Sequence, residues 1–164
     1  MNRELVGVDN WLKTNSLSLN VSKTFYMIIS NHKNALHIKI RETILTKVST
    51  VKFLGVTLDR NLTFKDHVNK VTSNISKSVG VMRRLHCQLP ASVMIKLYYS
   101  LVYSYLTYAL LAWERSGSTN AAKIECAHRR ACKLLTDYNQ LILTFHSIYD
   151  YFAFLIKSFQ HKYP

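Results

Sequence analysis

Residues 53–59 read Phe-Leu-Gly-Val-Thr-Leu-Asp, and residues 17–24 before them read Leu-Ser-Leu-Asn-Val-Ser-Lys-Thr. Both stretches are strand-like, and in the second of them Leu17 and Leu19 alternate with Ser18 and Asn20, the period of two that is typical of a half-buried β-strand. Residues 31–34 (Asn-His-Lys-Asn) predict a turn between strand regions. Three regions rich in β-branched and aromatic residues predict the strands themselves: 24–29, 35–40 and 48–58. We therefore expect a small antiparallel β unit over about residues 15–60.

The apolar spacing changes to that of a helix from Thr63 onward. Thr63 and Asp66 are spaced like a capping box, and six apolar residues follow on one helical face: Val68, Val71, Ile75, Val79, Met82 and Leu85. Further helices are expected over residues 91–113, around Ile124, Ala127, Ala131 and Leu134, over 141–159 and over 3–14. The predicted fold class is α+β, with a first domain over 1–62 and a mainly helical bundle over 63–164.

The charge balance of the chain favours a polyanionic partner. Lys and Arg total 22 against 9 acidic residues, a formal net charge of +13, and the excess is spread along the whole sequence. Nucleic acid is the first candidate and an anionic membrane surface the second. A protein that is basic without such a partner remains an alternative.

The cationic residues recur on the polar faces of two predicted helices. On the first these residues are Lys65, Lys70, Lys77, Arg83 and Arg84. On the other they are Lys123, Arg129, Arg130 and Lys133. Rows of this length match the spacing of phosphates along a duplex, so they favour contacts with the nucleic-acid backbone. Ordinary solvated helix faces are the alternative.

The sequence contains none of the common catalytic motifs GxxxxGK, HExxH or GxSxG, and its aspartates are scattered without an adjacent pair. Three cysteines without a CxxC pair are typical of reduced thiols in an intracellular, cytoplasmic or nuclear, protein. Cys126, His128 and Cys132 do not share one helix face, so we interpret them as partly buried structural residues and expect no metal site.

Residues 97–113 form an uncharged run that is close to the lower limit for a membrane span. Its tyrosines occur through the middle of the run, whereas interfacial tyrosines gather at the ends of a span. We therefore expect a buried helix and no membrane partner.

Four blocks of the sequence resemble the reverse transcriptases of non-LTR retrotransposons of the LINE type, similar to Jockey elements. Residues 11–24 resemble the region after the catalytic aspartates, and residues 51–67 resemble the palm–thumb junction. Residues 97–113 and His128-Arg129-Arg130-Ala131 are similar to the thumb and the segment after it, and residues 145–164 fit what commonly follows. The resemblance covers nearly the whole chain.

The resemblance implies roles for two groups of residues in the first domain, which it identifies as the end of a palm. Lys23 occupies the place of a lysine proposed to protonate the pyrophosphate leaving group, although a strand-start lysine paired with a phosphate or a carboxylate is equally compatible. Phe53, Leu54 and Gly55 correspond to the hairpin that grips the primer end, and a plain β-bulge would also use Gly55. The basic helices become thumb surfaces on the template–primer duplex.

The sequence lacks the paired aspartates that hold two Mg²⁺ ions in the intact enzymes, so the resemblance implies that they lie before Met1. We therefore expect a fragment of an RNA-directed DNA polymerase that has no cofactor, is inactive alone and binds an RNA–DNA hybrid or duplex through the backbone. The alternative is a non-enzymatic helical interaction protein that retains a reverse-transcriptase remnant. Self-association through exposed apolar surface is expected as well.

Overall fold

The computed structural model describes residues 2–29, 37–40, 43–113 and 116–136. The chain divides into two compact units, Met1–Leu62 and Thr63–Pro164. The division falls where the apolar period of the sequence changes from that of strands to that of helices.

Within its described residues, the first unit contains one helix, one short turn of 3-10 helix and six short strands. Helix α1 spans Asn2–Thr14, and the 3-10 turn spans Val21–Lys23. The strands are β1 (Phe25–Tyr26), β2 (Lys39–Ile40), β3 (Thr43–Ile44), β4 (Thr46–Lys47), β5 (Thr50–Phe53) and β6 (Val56–Asp59). Together with the helical second unit, they make the protein broadly α+β.

The strands pair in twos, and one pair differs from the expected antiparallel arrangement. Strands β2 and β3 are antiparallel, as are β5 and β6, whereas β1 pairs with β4 in parallel, with Phe25 opposite Thr46. The β2–β3 hairpin lies between β1 and β4 in the sequence. An alternating sequence reports which residues share a face but not the direction of the neighbouring strand.

The described part of the second unit is helical wherever it is regular. Its α-helices are α2 (Lys65–Leu85), α3 (Ala91–Tyr98), α4 (Ser104–Thr107), α5 (Leu110–Trp113) and α6 (Ser118–Thr136). Helix α2 begins one residue later than the expected capping box at Thr63 and Asp66 requires. Phe64 is the N-cap residue in a left-handed conformation, with no side-chain cap bond, and its ring is buried.

The apolar stretch 91–113 is not the single helix that we expect from the sequence. A π-helical segment, Tyr99–Tyr103, separates α3 from α4, and the chain breaks after α4 at Tyr108 and Ala109, where Ala109 has a φ of 52°. The break lets Trp113 turn into the core, where its indole Nε1 donates to the Tyr108 carbonyl at 3.0 Å.

The core of the second unit forms where α2, the α3–α4 stretch and α6 meet. The expected apolar stripe of α2 is confirmed by the burial of Val68, Val71, Ile75, Val79 and Met82, while Leu85 is half-buried. On α6 the inner residues are Ile124, Ala127, Ala131 and Leu135. The sequence predicted Leu134 on this inner face, but the buried residue is the next one, Leu135.

The predicted turn at 31–34, the predicted helix over 141–159 and the resemblance over 145–164 lie outside the described residues. In the part of the chain that the structure describes, no helix is both long enough and apolar enough to cross a membrane.

Candidate nucleic-acid interface

Helix α2 presents its cationic residues to solvent along its whole length. Lys70, Lys77 and Arg84 recur at intervals of seven residues, about two helical turns, so they form one row. All three are exposed, and the side chains of Lys65 and Arg83 are exposed as well. The five residues predicted from the sequence are therefore accessible: Lys70, Lys77 and Arg84 lie opposite the buried stripe of α2, and Lys65 and Arg83 flank it.

Helix α6 carries the second cationic row and lies against α2. Its predicted residues, Lys123, Arg129, Arg130 and Lys133, are exposed. The Lys123 ammonium donates to Asn69 Oδ1 on α2 at 3.0 Å, so the two helices are in contact at this point. Arg129 pairs with Glu125 on the same helix at 2.7 Å, an exposed pair of the i,i+4 type that adds little stability.

A buried amide positions the first turn of α6 against the start of α2. Asn120 is buried, and its Nδ2 donates to the Thr63 carbonyl at 3.0 Å and to the Ser116 carbonyl at 2.9 Å. Both amide hydrogens are used, one across the unit and one within the turn. The packing of the first turn of α6 against the start of α2 therefore rests on a specific buried contact as well as on apolar packing.

The described part of the second unit has a strong excess of positive charge. Over residues 63–113 and 116–136, Asp66 and Glu125 are the acidic residues. The same ranges contain the nine predicted cationic residues and Lys96. An excess of one sign over two adjacent helices produces a positive potential that concentrates polyanions at the surface.

The β5–β6 hairpin of the first unit presents two apolar side chains at its tip. Phe53 pairs with Val56, so the loop has two residues, Leu54 and Gly55, with φ values of 43° and 83°. Positive φ at both positions defines a type I′ turn, which favours Asn-Gly. Leucine in the left-handed region costs about 1–2 kcal/mol, yet Leu54 is 74% exposed and Phe53 62% exposed.

Replacing Leu54 with asparagine should stabilise the first unit by about 1 kcal/mol, because asparagine tolerates the left-handed conformation and little packing is lost. Amide hydrogen exchange of the β5–β6 strand residues measures the change. Phe53→Asn at the same tip is the matched control, and it should bring no gain because Phe53 lies in the strand. A loss of protection in Leu54→Asn would contradict the assignment of backbone strain to Leu54.

Lys23 lies in the 3-10 turn that precedes β1, rather than at the start of the strand itself. Its backbone N–H donates to Asn20 Oδ1 at 3.2 Å and to the Asn20 carbonyl at 3.1 Å. The Ser22 hydroxyl donates to the same Oδ1 at 2.6 Å. Asn20 therefore fixes the backbone of Lys23 and leaves its side chain exposed to solvent.

A buried polar cluster in the second unit was not predicted from the sequence. Tyr98 Oη lies 2.6 Å from His128 Nε2, and Cys132 Sγ lies 3.3 Å from the same nitrogen. Tyr98 and His128 are buried, whereas Cys126 is exposed. The interpretation as partly buried residues holds for Cys132 and His128, whereas it is wrong for Cys126, whose side chain is exposed on another face of α6. Only the spacing of His128 and Cys132 is visible in the sequence, since Tyr98 comes from another helix.

Burial shifts the pKa values of all three groups toward their neutral forms. Desolvation lowers the pKa of His128, with the Glu125 carboxylate acting in the opposite direction. Desolvation raises the pKa of Tyr98 far above its ordinary value, with the neighbouring Cys132 as the next cause. It also raises the pKa of Cys132 to about 11, against a hydrogen bond from Tyr98 that lowers it. At neutral pH the cluster is uncharged.

The described residues include no group of three or more His, Cys, Asp or Glu side chains that could hold a metal ion. The predicted site residues fall into separate groups: the cationic rows lie together on α2 and α6, and Lys23 and the hairpin tip belong to the first unit. No protein family, no curated protein and no solved structure matches this chain.

Proposed function

We propose that this chain is the nucleic-acid-binding end of a retrotransposon reverse transcriptase, consisting of the end of the palm and the thumb. The observation that carries the proposal is the set of exposed cationic residues along α2 and α6, two helices that pack against each other. The resemblance over residues 11–24, 51–67, 97–113 and 128–131 supplies the identity of the partner, a template–primer duplex.

The cationic surface suits contacts with phosphates better than contacts with bases. Its residues are long and exposed, they lie in rows, and few acidic residues interrupt them. Each ammonium or guanidinium that neutralises a phosphate releases a counterion, so binding of this kind depends steeply on salt and little on sequence. In the first unit, the hairpin tip at Phe53, Leu54 and Gly55 contacts the primer end, and Lys23 contributes a cation near a phosphate.

Equilibrium binding at several salt concentrations tests the proposal. Fluorescence anisotropy with an RNA–DNA hybrid should give a log K that falls linearly with log salt, with a slope of about −0.9 per phosphate contact. A hybrid of scrambled sequence is the matched control, and it should bind with an affinity within about threefold. Affinity that is independent of salt, or that requires one sequence, would contradict the proposal.

Cys126 offers a direct map of the bound surface. It is exposed on α6, three residues from Lys123 and from Arg129, and residues at this spacing are neighbours on a helix. A bound hybrid should slow alkylation of Cys126 several-fold. Cys132 is the internal control, because burial raises the pKa of its thiol to about 11 and makes it slow to react in every state. Alkylation of Cys126 at an unchanged rate would place the nucleic acid elsewhere.

The same proposal implies that the isolated chain does not extend a primer, since the sequence lacks the carboxylate pair that two-metal phosphoryl transfer requires. A primer-extension assay with Mg²⁺ and all four deoxynucleotides checks this point. If the purified chain incorporated deoxynucleotides into the primer, the proposal that it is an inactive fragment would be wrong. The proposal that it binds nucleic acid would still stand.

A second candidate is a non-enzymatic interaction protein in a cytoplasmic or nuclear compartment. It is favoured by the exposed aromatic side chains along the broken helix, Tyr99, Tyr105 and Tyr108, and by the exposed Trp11 on α1. Such residues commonly occur at protein interfaces. Sedimentation over a range of concentrations distinguishes the candidates: self-association without affinity for nucleic acid would favour this second function.

A further inference from the structure

The Tyr98–His128–Cys132 cluster joins two parts of the helical unit that are far apart in sequence. Tyr98 ends α3, where the π-helical segment begins, and His128 and Cys132 lie one turn apart on α6. Tyr98 and His128 are separated by 30 positions and meet at 2.6 Å in the core. Around them the buried side chains are apolar, including Met94, Val102 and Ala131.

We propose that the hydrogen bond between Tyr98 and His128 is an acid-sensitive latch, in which neutral His128 holds α3 against α6 and one proton on its ring releases Tyr98. In the closed latch, Tyr98 O–H donates to Nε2, so the proton of the neutral ring is on Nδ1. A proton on Nε2 removes the acceptor, so Tyr98 stays bonded only if its hydroxyl turns to accept, and the proton places a positive charge in a desolvated core that the Glu125 carboxylate offsets only in part.

Desolvation favours the neutral form of His128, and the Glu125 carboxylate acts against it. From α3 and the π-helical segment, Tyr98, Tyr99 and Tyr103 face the site, with rings that contact one another. On α6 the neighbours are Cys132 and Glu125, and Glu125 is exposed and paired with Arg129. On α2 the buried titratable residue is His67, whose ring lies against Trp113.

The sign of the pH dependence follows from the direction of the pKa shift. The pKa of folded His128 lies below its ordinary value, so as pH falls below about 6.5 the unfolded chain takes up the proton first. Stability from the latch is complete above that pH and is lost as pH falls toward the folded pKa. One such group raises the unfolding constant by at most about tenfold per pH unit.

Chemical denaturation of the full chain between about pH 7 and pH 5 tests the latch. The pKa of His67 is also lowered, by burial and then by Lys70, so the wild-type unfolding constant should rise by up to about a hundredfold per pH unit. His128→Gln keeps an acceptor for Tyr98 without a titrating ring and should reduce this slope to about tenfold. His67→Gln is the matched control. It should keep the part of the pH dependence of the unfolding constant that comes from His128.

A hydroxyl deletion separates the latch from simple packing. Tyr98→Phe removes the donor that stabilises the neutral ring, so the pKa of His128 should move up, as measured from its imidazole resonances by NMR. Tyr103→Phe, one turn away, should leave that pKa unchanged. If Tyr98→Phe does not fold, the wild-type titration decides the question: an ordinary pKa for His128, or a neutral ring protonated at Nε2, would overturn the proposal.

Discussion

Replacing Lys70, Lys77 and Arg84 together with glutamine should weaken binding of an RNA–DNA hybrid by about 10²-fold near 0.1 M salt. The three side chains form the exposed row of α2, and each phosphate contact accounts for close to one power of the salt concentration. Removing three contacts should therefore also flatten the slope of log K against log salt by about 2.7. Fluorescence anisotropy over a salt series measures the affinity and the slope.

A second triple variant, Lys39→Gln, Lys47→Gln and Lys96→Gln, removes the same amount of charge from exposed positions outside α2 and α6. It should lower the affinity much less, because its residues make no phosphate contacts in the proposed complex and act only through the long-range field. Equal losses in the two triple variants would mean that net charge governs binding, and they would remove the case for a defined interface.

Replacing Trp113 with alanine should destabilise the helical unit by about 3–5 kcal/mol, the usual cost of truncating a buried tryptophan. Trp113 is 2% exposed, and its ring packs against His67 with 5.8 Å between centroids. Its Nε1–H also caps the break at Tyr108. Such a loss is comparable to the whole stability of many small domains, so part of the population should be unfolded at room temperature.

Two matched variants identify the source of that loss. Trp113→Phe keeps an aromatic ring against His67 and should recover more than half of the stability. Trp11→Ala removes the same side chain from an exposed position on α1 and should be nearly neutral. Urea denaturation followed by far-UV circular dichroism reports the helical unit in each case. A large loss in Trp11→Ala would show that α1 packs against a surface that its exposure does not reveal.

Features set by local periodicity could be predicted from the sequence. The stripe from Val68 to Met82 repeats at helical spacing, and the exposed lysines on the other side of α2 follow from the same period. The cationic residues of α6 were found in the same way. Residues 48–58 were predicted as one strand region, whereas the structure folds them into the β5–β6 hairpin, and a hairpin at Phe53, Leu54 and Gly55 followed only from the resemblance.

Features that depend on pairing between distant segments could not be predicted. The parallel β1–β4 pair depends on the path that the chain takes between the two strands. The break at Ala109 occurs without proline or glycine, because burial of Trp113 compensates for an unfavourable backbone conformation. The Tyr98–His128 contact depends on how α3 packs against α6, which no spacing within either helix encodes.

The contact between Asn69 and Lys123 has a consequence for the order in which the protein is made. It joins residues 54 positions apart, so α2 leaves the ribosome long before α6 is available to cover it. Until then the apolar stripe of α2 faces solvent, or a chaperone, and the two cationic helices are not packed together. A nascent chain that stalls before Ser118 would therefore expose the apolar stripe of α2, which favours aggregation, and would have no assembled binding surface.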